Sequence, residues 1–148
     1  MNIYYFNGST NAIIADNRGG SVIFEGNTMY EIENYTPTIL IKKYCINNGS
    51  TFEGRLKSTE FLTGYKYKAP ILLKENTKWV YFPTNSSRLK TCSWLNLANI
   101  KSFYKVDNGV RVIFTNNVSI ILNVSYFIFN NQFLKANYLA TKLEKNKS

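Results

Sequence analysis

Short apolar runs broken by glycine and asparagine fill the first third of the chain. Ile3-Tyr4-Tyr5-Phe6 is followed by Asn7-Gly8, Ala12-Ile13-Ile14-Ala15 precedes Arg18-Gly19-Gly20, and Ser21-Val22-Ile23-Phe24 precedes Gly26-Asn27. Thr28 to Ile32 is a fourth run. Runs this short, punctuated by turn formers, predict antiparallel strands.

The texture changes at Thr36-Pro37, an N-cap followed by a proline suited to a first helical turn. Ile41, Tyr44, Cys45 and Asn48 then share one helical face, and Asn48-Gly49 is a stop signal. The β-branched content of this stretch argues the other way, for a strand. Residues 51–62, TFEGRLKSTEFL, predict a second short helix, weakened by Gly54 and ended by Gly64. Strands return at Pro70 to Leu73 and Lys78 to Phe82, joined by Lys74-Glu75-Asn76-Thr77. Pro83 to Cys92 is polar and basic and predicts a loop. Ser93 to Leu97 and Ile100 to Tyr104 are further short elements. Asp107-Asn108-Gly109 is a turn, and Asn116-Asn117 predicts a two-residue hairpin between Val110–Thr115 and Val118–Leu122. Ser125 can cap a last helix carrying Phe129, Phe133, Ala136, Ala140 and Leu143, with Lys142, Lys145 and Lys147 at its negative end. The sum is an α+β fold: antiparallel strands and hairpins, short helices in the middle and a C-terminal helix. With no linker or internal repeat, residues 1–148 are expected to form one domain.

Charge changes this picture. The chain carries 18 Lys+Arg against 9 Asp+Glu, a net of +9. Residues 1–36 hold one base, Arg18, and four acids, whereas residues 37–148 hold 17 bases and five acids. Such asymmetry points the later part at a polyanion. The chain has no histidine, so His-based triads, His general bases and Cys2His2 zinc sites are excluded. Cys45 and Cys92 stand far apart without a CxxC, which fits neither a thiolate zinc site nor a disulfide framework. They are expected to be small core residues and reduced thiols in a cytosolic protein. The start has no basic, apolar leader, and the Val118–Phe129 stretch is interrupted by Asn123 and Ser125, well short of the ~18 to 20 apolar residues of a span. Asparagine is abundant, which looks like A/T-rich coding usage and says little about mechanism.

Candidate chemistry falls in three places. In Gly49-Ser50-Thr51-Phe52-Glu53-Gly54-Arg55-Leu56-Lys57, small residues allow close backbone approach, amides can meet phosphates and Arg55 can reach a groove. It is not a P-loop, since no Gly-Lys-Ser/Thr follows. The same stretch also fits a helix–turn–helix junction with a solvated Arg55. In Pro83 to Trp94, hydroxyls and an amide flank Arg88 and Lys90, a set suited to sugar–phosphate contact and to a narrow minor groove; an ordinary loop with Trp94 in the core is the alternative. Lys66-Tyr67-Lys68 alternates base and aromatic. It can stack on single-stranded bases, but it is expected as a strand edge with outward lysines. Glu53 with Glu60, or Asp107 with Glu144, could form a carboxylate pair, yet none stands in a recognisable catalytic context, and no enzyme activity is expected.

In one order along the chain come Ile41, Cys45, GSTFEGR at 49–55, Leu62-Thr63-Gly64, KAPILL at 68–73, YFPTNSSR at 81–88 and Trp94-Leu95. The hairpin VIFTNNVSIILNVSY at 112–126, Asn131-Gln132 and Ala136 follow. This succession, over about residues 38–140, resembles the ComK family of competence transcription factors. The resemblance implies a sequence-specific, DNA-binding transcriptional activator of DNA-uptake genes. It implies an oligomer on paired A/T-rich boxes, read largely through the minor groove, without cofactor or metal. Two departures from the family pattern stand out. The chain stops at Lys145-Asn146-Lys147-Ser148, where relatives carry a tail recognised by a regulatory adaptor protein for proteolysis, which puts that part of the resemblance, and the adaptor as a partner, in doubt. Glu53 also sets an acid beside Gly54-Arg55.

From residue chemistry and loop context, Arg55 and Arg88 are the expected groove contacts. Lys57, Lys66, Lys68 and Lys90 are the expected phosphate contacts on double-stranded DNA, with the protein at the nucleoid and no membrane partner. Tyrosines and phenylalanines of the hairpin and last helix are expected in the core or on a homo-oligomer surface. A different class also fits: a shortened regulatory partner that binds a protein, such as a full-length relative, rather than DNA.

Overall fold

Apolar runs bounded by left-handed turn residues become strands in the computed structural model, which describes residues 4–74 and 78–145. β1 (Thr10–Ala15) turns through Asn17 and Gly19, both at positive φ, into β2 (Ser21–Glu25), which turns through Gly26 into β3 (Thr28–Ile32). The Asp16 carboxylate braces the first turn by accepting from the amides of Arg18 and Gly20 at 2.8 and 2.9 Å. The strand expected over Ile3–Phe6 does not form over its described part. Tyr4 and Phe6 are used as rings instead: Phe6 packs edge-on against Tyr4, Tyr44 and Tyr81.

α1 (Pro37–Asn47) forms despite its β-branched residues. Thr36 caps it, accepting from the Ile39 amide, and the face of Leu40, Ile41, Tyr44 and Cys45 is buried. Packing of that face outweighs the propensity of the exposed positions. α2 (Phe52–Thr63) starts at a Thr51 cap and ends at Gly64, whose φ of 84° closes the last turn. β4 (Ile71–Leu72), β5 (Val80–Pro83) and β6 (Trp94–Asn96) complete a six-stranded antiparallel sheet in the order β3-β2-β1-β6-β5-β4. The connection expected at 74–77 lies largely outside the described residues, as does Lys147.

This sheet is covered on both faces, which is why its central strands are continuous apolar runs rather than alternating ones. One side carries Ile13, Ile23, Tyr81 and Trp94 against Ile41, Tyr44 and Cys45 of α1 and Phe52 of α2. The other carries Ala12, Val80, Phe82 and Leu95 against a second sheet and the last helix. That second sheet, in the order β7-β8-β9, comprises β7 (Ile100–Val106), β8 (Gly109–Phe114) and β9 (Ser119–Leu122). The β8–β9 turn is wider than a two-residue hairpin: residues 115–118 connect the strands, with Asn117 left-handed and the Phe114 amide on Val118 O at 2.9 Å. α3 (Tyr126–Lys145) is capped by Ser125, as expected, and buries Phe129, Gln132, Ala136 and Leu139. Among the described residues, no helix is long and apolar enough to cross a membrane.

Asparagines bind the two sheets together. Asn99 Nδ2 donates to Gly8 O, Thr10 O and Asn11 Oδ1 at 2.9, 3.2 and 3.0 Å, and Asn116 Nδ2 donates to Gly26 O at 2.8 Å. Three of these bonds satisfy backbone carbonyls, of Gly8, Thr10 and Gly26, and the fourth joins two asparagine side chains.

Candidate nucleic-acid interface

The Gly49–Lys57 stretch is a helix–turn–helix junction. The amides of Gly49, Ser50, Gly54 and Arg55 are taken up within the fold rather than left for phosphate. Gly49 N bonds Ile46 O, Ser50 N bonds Cys45 O, Gly54 N bonds the capping Thr51 Oγ1 at 2.9 Å, and Arg55 N bonds Thr51 O. Arg55 is half-buried rather than solvated. Its Nε is enclosed without a hydrogen-bond partner, and its charge acts on the Cys45 thiol. Burial pushes that thiol's pKa up, and Arg55 pulls it back in part. Lys57 is exposed on α2. Glu53 faces Lys42 at 3.9 Å across the α1–α2 junction, so the acid answers a lysine of the neighbouring helix.

Lys66-Tyr67-Lys68 is not a strand edge. It lies in the loop between α2 and β4, and Lys68 has a φ of 50°. The Lys-Tyr-Lys alternation mimics strand periodicity, but Gly64 ends the helix just before it and the chain must bend to reach β4. Lys66 faces Glu60 at 3.8 Å, with both side chains exposed, so water screens the pair and leaves Lys66 partly neutralised. Lys68 has no carboxylate within ion-pair distance among the described residues. Tyr67 is 81% exposed.

The 84–93 loop is self-braced. Thr84 and Ser93 bond each other twice, by Thr84 N to Ser93 O and by Ser93 N to Thr84 Oγ1, and Asn85 Nδ2 donates to Thr91 Oγ1 at 3.1 Å. The Thr84 and Thr91 hydroxyls and the Asn85 amide, expected on sugar–phosphate, thus hold the loop's shape. What the loop presents is Arg88, Leu89 and Lys90, all exposed, with neither cation in an ion pair among the described residues. Trp94 is fully buried behind it, with its indole Nε1 donating to Thr38 Oγ1 at 2.9 Å.

One buried side chain joins these loops. Gln132 Nε2 on α3 donates to Lys68 O at 2.7 Å and to Pro83 O at 2.9 Å. It therefore ties the segment carrying Lys66 and Lys68 to the root of the segment carrying Arg88 and Lys90. Lys135, one helical turn on, donates to Tyr67 O at 3.1 Å. Expectation from the sequence passed over Gln132 and Lys135 as site residues. The available signal was a glutamine among apolar positions on the inner face of a helix.

Other candidates resolve into structure. Cys45 and Cys92 are free and buried, and burial raises the Cys92 thiol to about 11, so it stays protonated. Glu60 and Glu144 each face a lysine, Lys66 and Lys78. On the hairpin and α3, Phe114 and Phe129 are core, whereas Tyr104, Ile121, Tyr126 and Phe127 are exposed. Tyr104, Arg111 and Ile121 stand opposite one another across the outer face of the second sheet.

Two comparisons with known proteins agree. A competence transcription factor of Bacillus subtilis (strain 168) is 28% identical over 145 residues, covering 95% of this chain and 75% of that protein. No solved structure matches the chain. The family described as ComK protein matches residues 1–148, and the chain belongs to that family.

Proposed function

We propose that this ComK-family chain is a DNA-binding transcriptional activator of competence genes, the whole chain acting as one domain on A/T-rich duplex at the nucleoid. The similar protein from Bacillus subtilis is a competence transcription factor, which supports the regulatory role. The observation that carries DNA contact is the pair of loops joined through Gln132. They present Lys68, Arg88 and Lys90 without acidic partners among the described residues. Lys57 and the partly neutralised Lys66 add charge, and Arg55, half-buried beside Cys45, supports the α1–α2 junction and lends field more than reach. Cations free of partners gain most from phosphate, because contact releases counterions without breaking an existing pair. Arg88 is the groove contact: a guanidinium suits the strongly negative, narrow A/T minor groove. The exposed Tyr104, Ile121, Tyr126 and Phe127 supply the self-association surface of a homo-oligomer. The protein acts by binding, without cofactor.

Competition decides the groove. A small ligand filling the A/T minor groove is expected to displace the protein, whereas bulky groups in the major groove leave affinity nearly unchanged. Loss of binding on major-groove modification, with no effect of the minor-groove ligand, would overturn the proposed mode.

A further inference from the structure

A cleft of about 350 Å³ opens between the α2–β4 loop and the middle of α3, lined by Tyr65, Lys68, Asn131, Gln132 and Lys135. Two lysines converge on it. Neither meets a carboxylate within ion-pair distance among the described residues. Lys135 is already positioned: its ammonium donates to Tyr67 O at 3.1 Å and lies 5.4 Å from the centre of the Tyr65 ring. One backbone bond leaves its remaining protons for a ligand. The cleft floor is fixed, because Gln132 clamps Lys68 O and Pro83 O. Burial, and then the Lys68 charge, lower the Lys135 pKa. Two like charges facing one cavity repel unless an anion lies between them.

We infer that this cleft binds a phosphate group between Lys68 and Lys135, with Asn131 as a neutral hydrogen-bond donor at its edge. A phosphate bridges two ammonium groups, relieves their repulsion and finds the Lys135 ammonium already held on Tyr67 O. For Lys135 the side-chain ordering that usually weakens a lysine–phosphate contact is thus largely complete beforehand, while Gln132 fixes the backbone from which Lys68 reaches. The inference rests on the DNA reading only for the source of the phosphate, which is the duplex backbone. It adds α3 to the two loops as a contact element.

The test uses the full chain and two probes. In the first arm, a fluorescent A/T-rich duplex is titrated across salt concentrations with the wild-type protein, Lys135→Gln and Lys135→Arg. Glutamine can keep a donor near Tyr67 without the charge. The log–log salt slope is expected to shrink by about one unit for Lys135→Gln and to be kept by Lys135→Arg. Lys68→Ala combined with Lys135→Gln is expected to lose less than the two single effects together, because both lysines serve one phosphate. In the second arm, inorganic phosphate is titrated while the side-chain resonances of Lys68 and Lys135 are followed. An unchanged slope with saturable shifts in both lysines keeps the phosphate site and overturns the duplex as its source. An unchanged slope with no shifts overturns the inference. Absence of any wild-type DNA binding sinks the proposed function, and the second arm still decides the cleft.

Discussion

Arg88 and Lys90 stand two positions apart on one exposed loop, yet their chemistry separates them. Arg88→Ala is expected to weaken binding and flatten the preference for A/T-rich sites, since it removes a planar groove probe. Lys90→Ala is expected to weaken binding to all sequences alike and to reduce the salt slope by about one unit. Neither should move the melting temperature, because both side chains are exposed and neither is in an ion pair among the described residues. A sharp fall in melting temperature for Arg88→Ala, with normal binding by the folded fraction, would make Arg88 structural. Asn99 is the opposite kind of residue. Its amide serves three acceptors on and around β1, so Asn99→Ala is expected to cost about 1–3 kcal/mol in denaturant unfolding while leaving the salt slope intact. Composition alone made the asparagines look like coding bias. Their role was not legible because Asn99 and its acceptors are separated by 88 to 91 positions, and no local pattern announces such a partner.

At the scale of elements, strands and helices were legible where local chemistry decides them. Thr36-Pro37 and Thr51 mark helix starts, Gly64 a helix end, Asp107-Asn108 a turn and Ser125 the start of α3. Sheet order was not legible. β1 pairs with β6, so Ile13 lies opposite Trp94, and nothing near either residue specifies that neighbour. The candidate site was legible in half: the exposed cations proposed for it follow from charge and loop context, but the Gln132 clamp between their loops does not. Gln132→Leu tests that clamp. The substitution leaves Lys68 O and Pro83 O without their donor, and it is expected to cost about 1–3 kcal/mol. Amide exchange should rise in residues 64–70 and 83–93 before the central strands are affected, and DNA affinity should fall although no charge is removed. Unchanged exchange in both loops would show that Gln132 does not hold them.

For the whole molecule, the central claim is that charge gathered after residue 36 is directed at duplex DNA. Residues 37–105 hold 12 bases and three acids, and three of those bases, Lys68, Arg88 and Lys90, sit unpaired among the described residues on the two clamped loops. Self-association through the exposed aromatic face would double the number of such loops on one duplex and so steepen the dependence on salt. The most direct measurement is the affinity for an A/T-rich duplex as a function of salt concentration. The account predicts tight binding at low salt and a log–log slope of several negative units, each phosphate contact contributing about 0.9. An affinity independent of salt, or no binding at low salt, would contradict it and favour a chain that binds another protein instead.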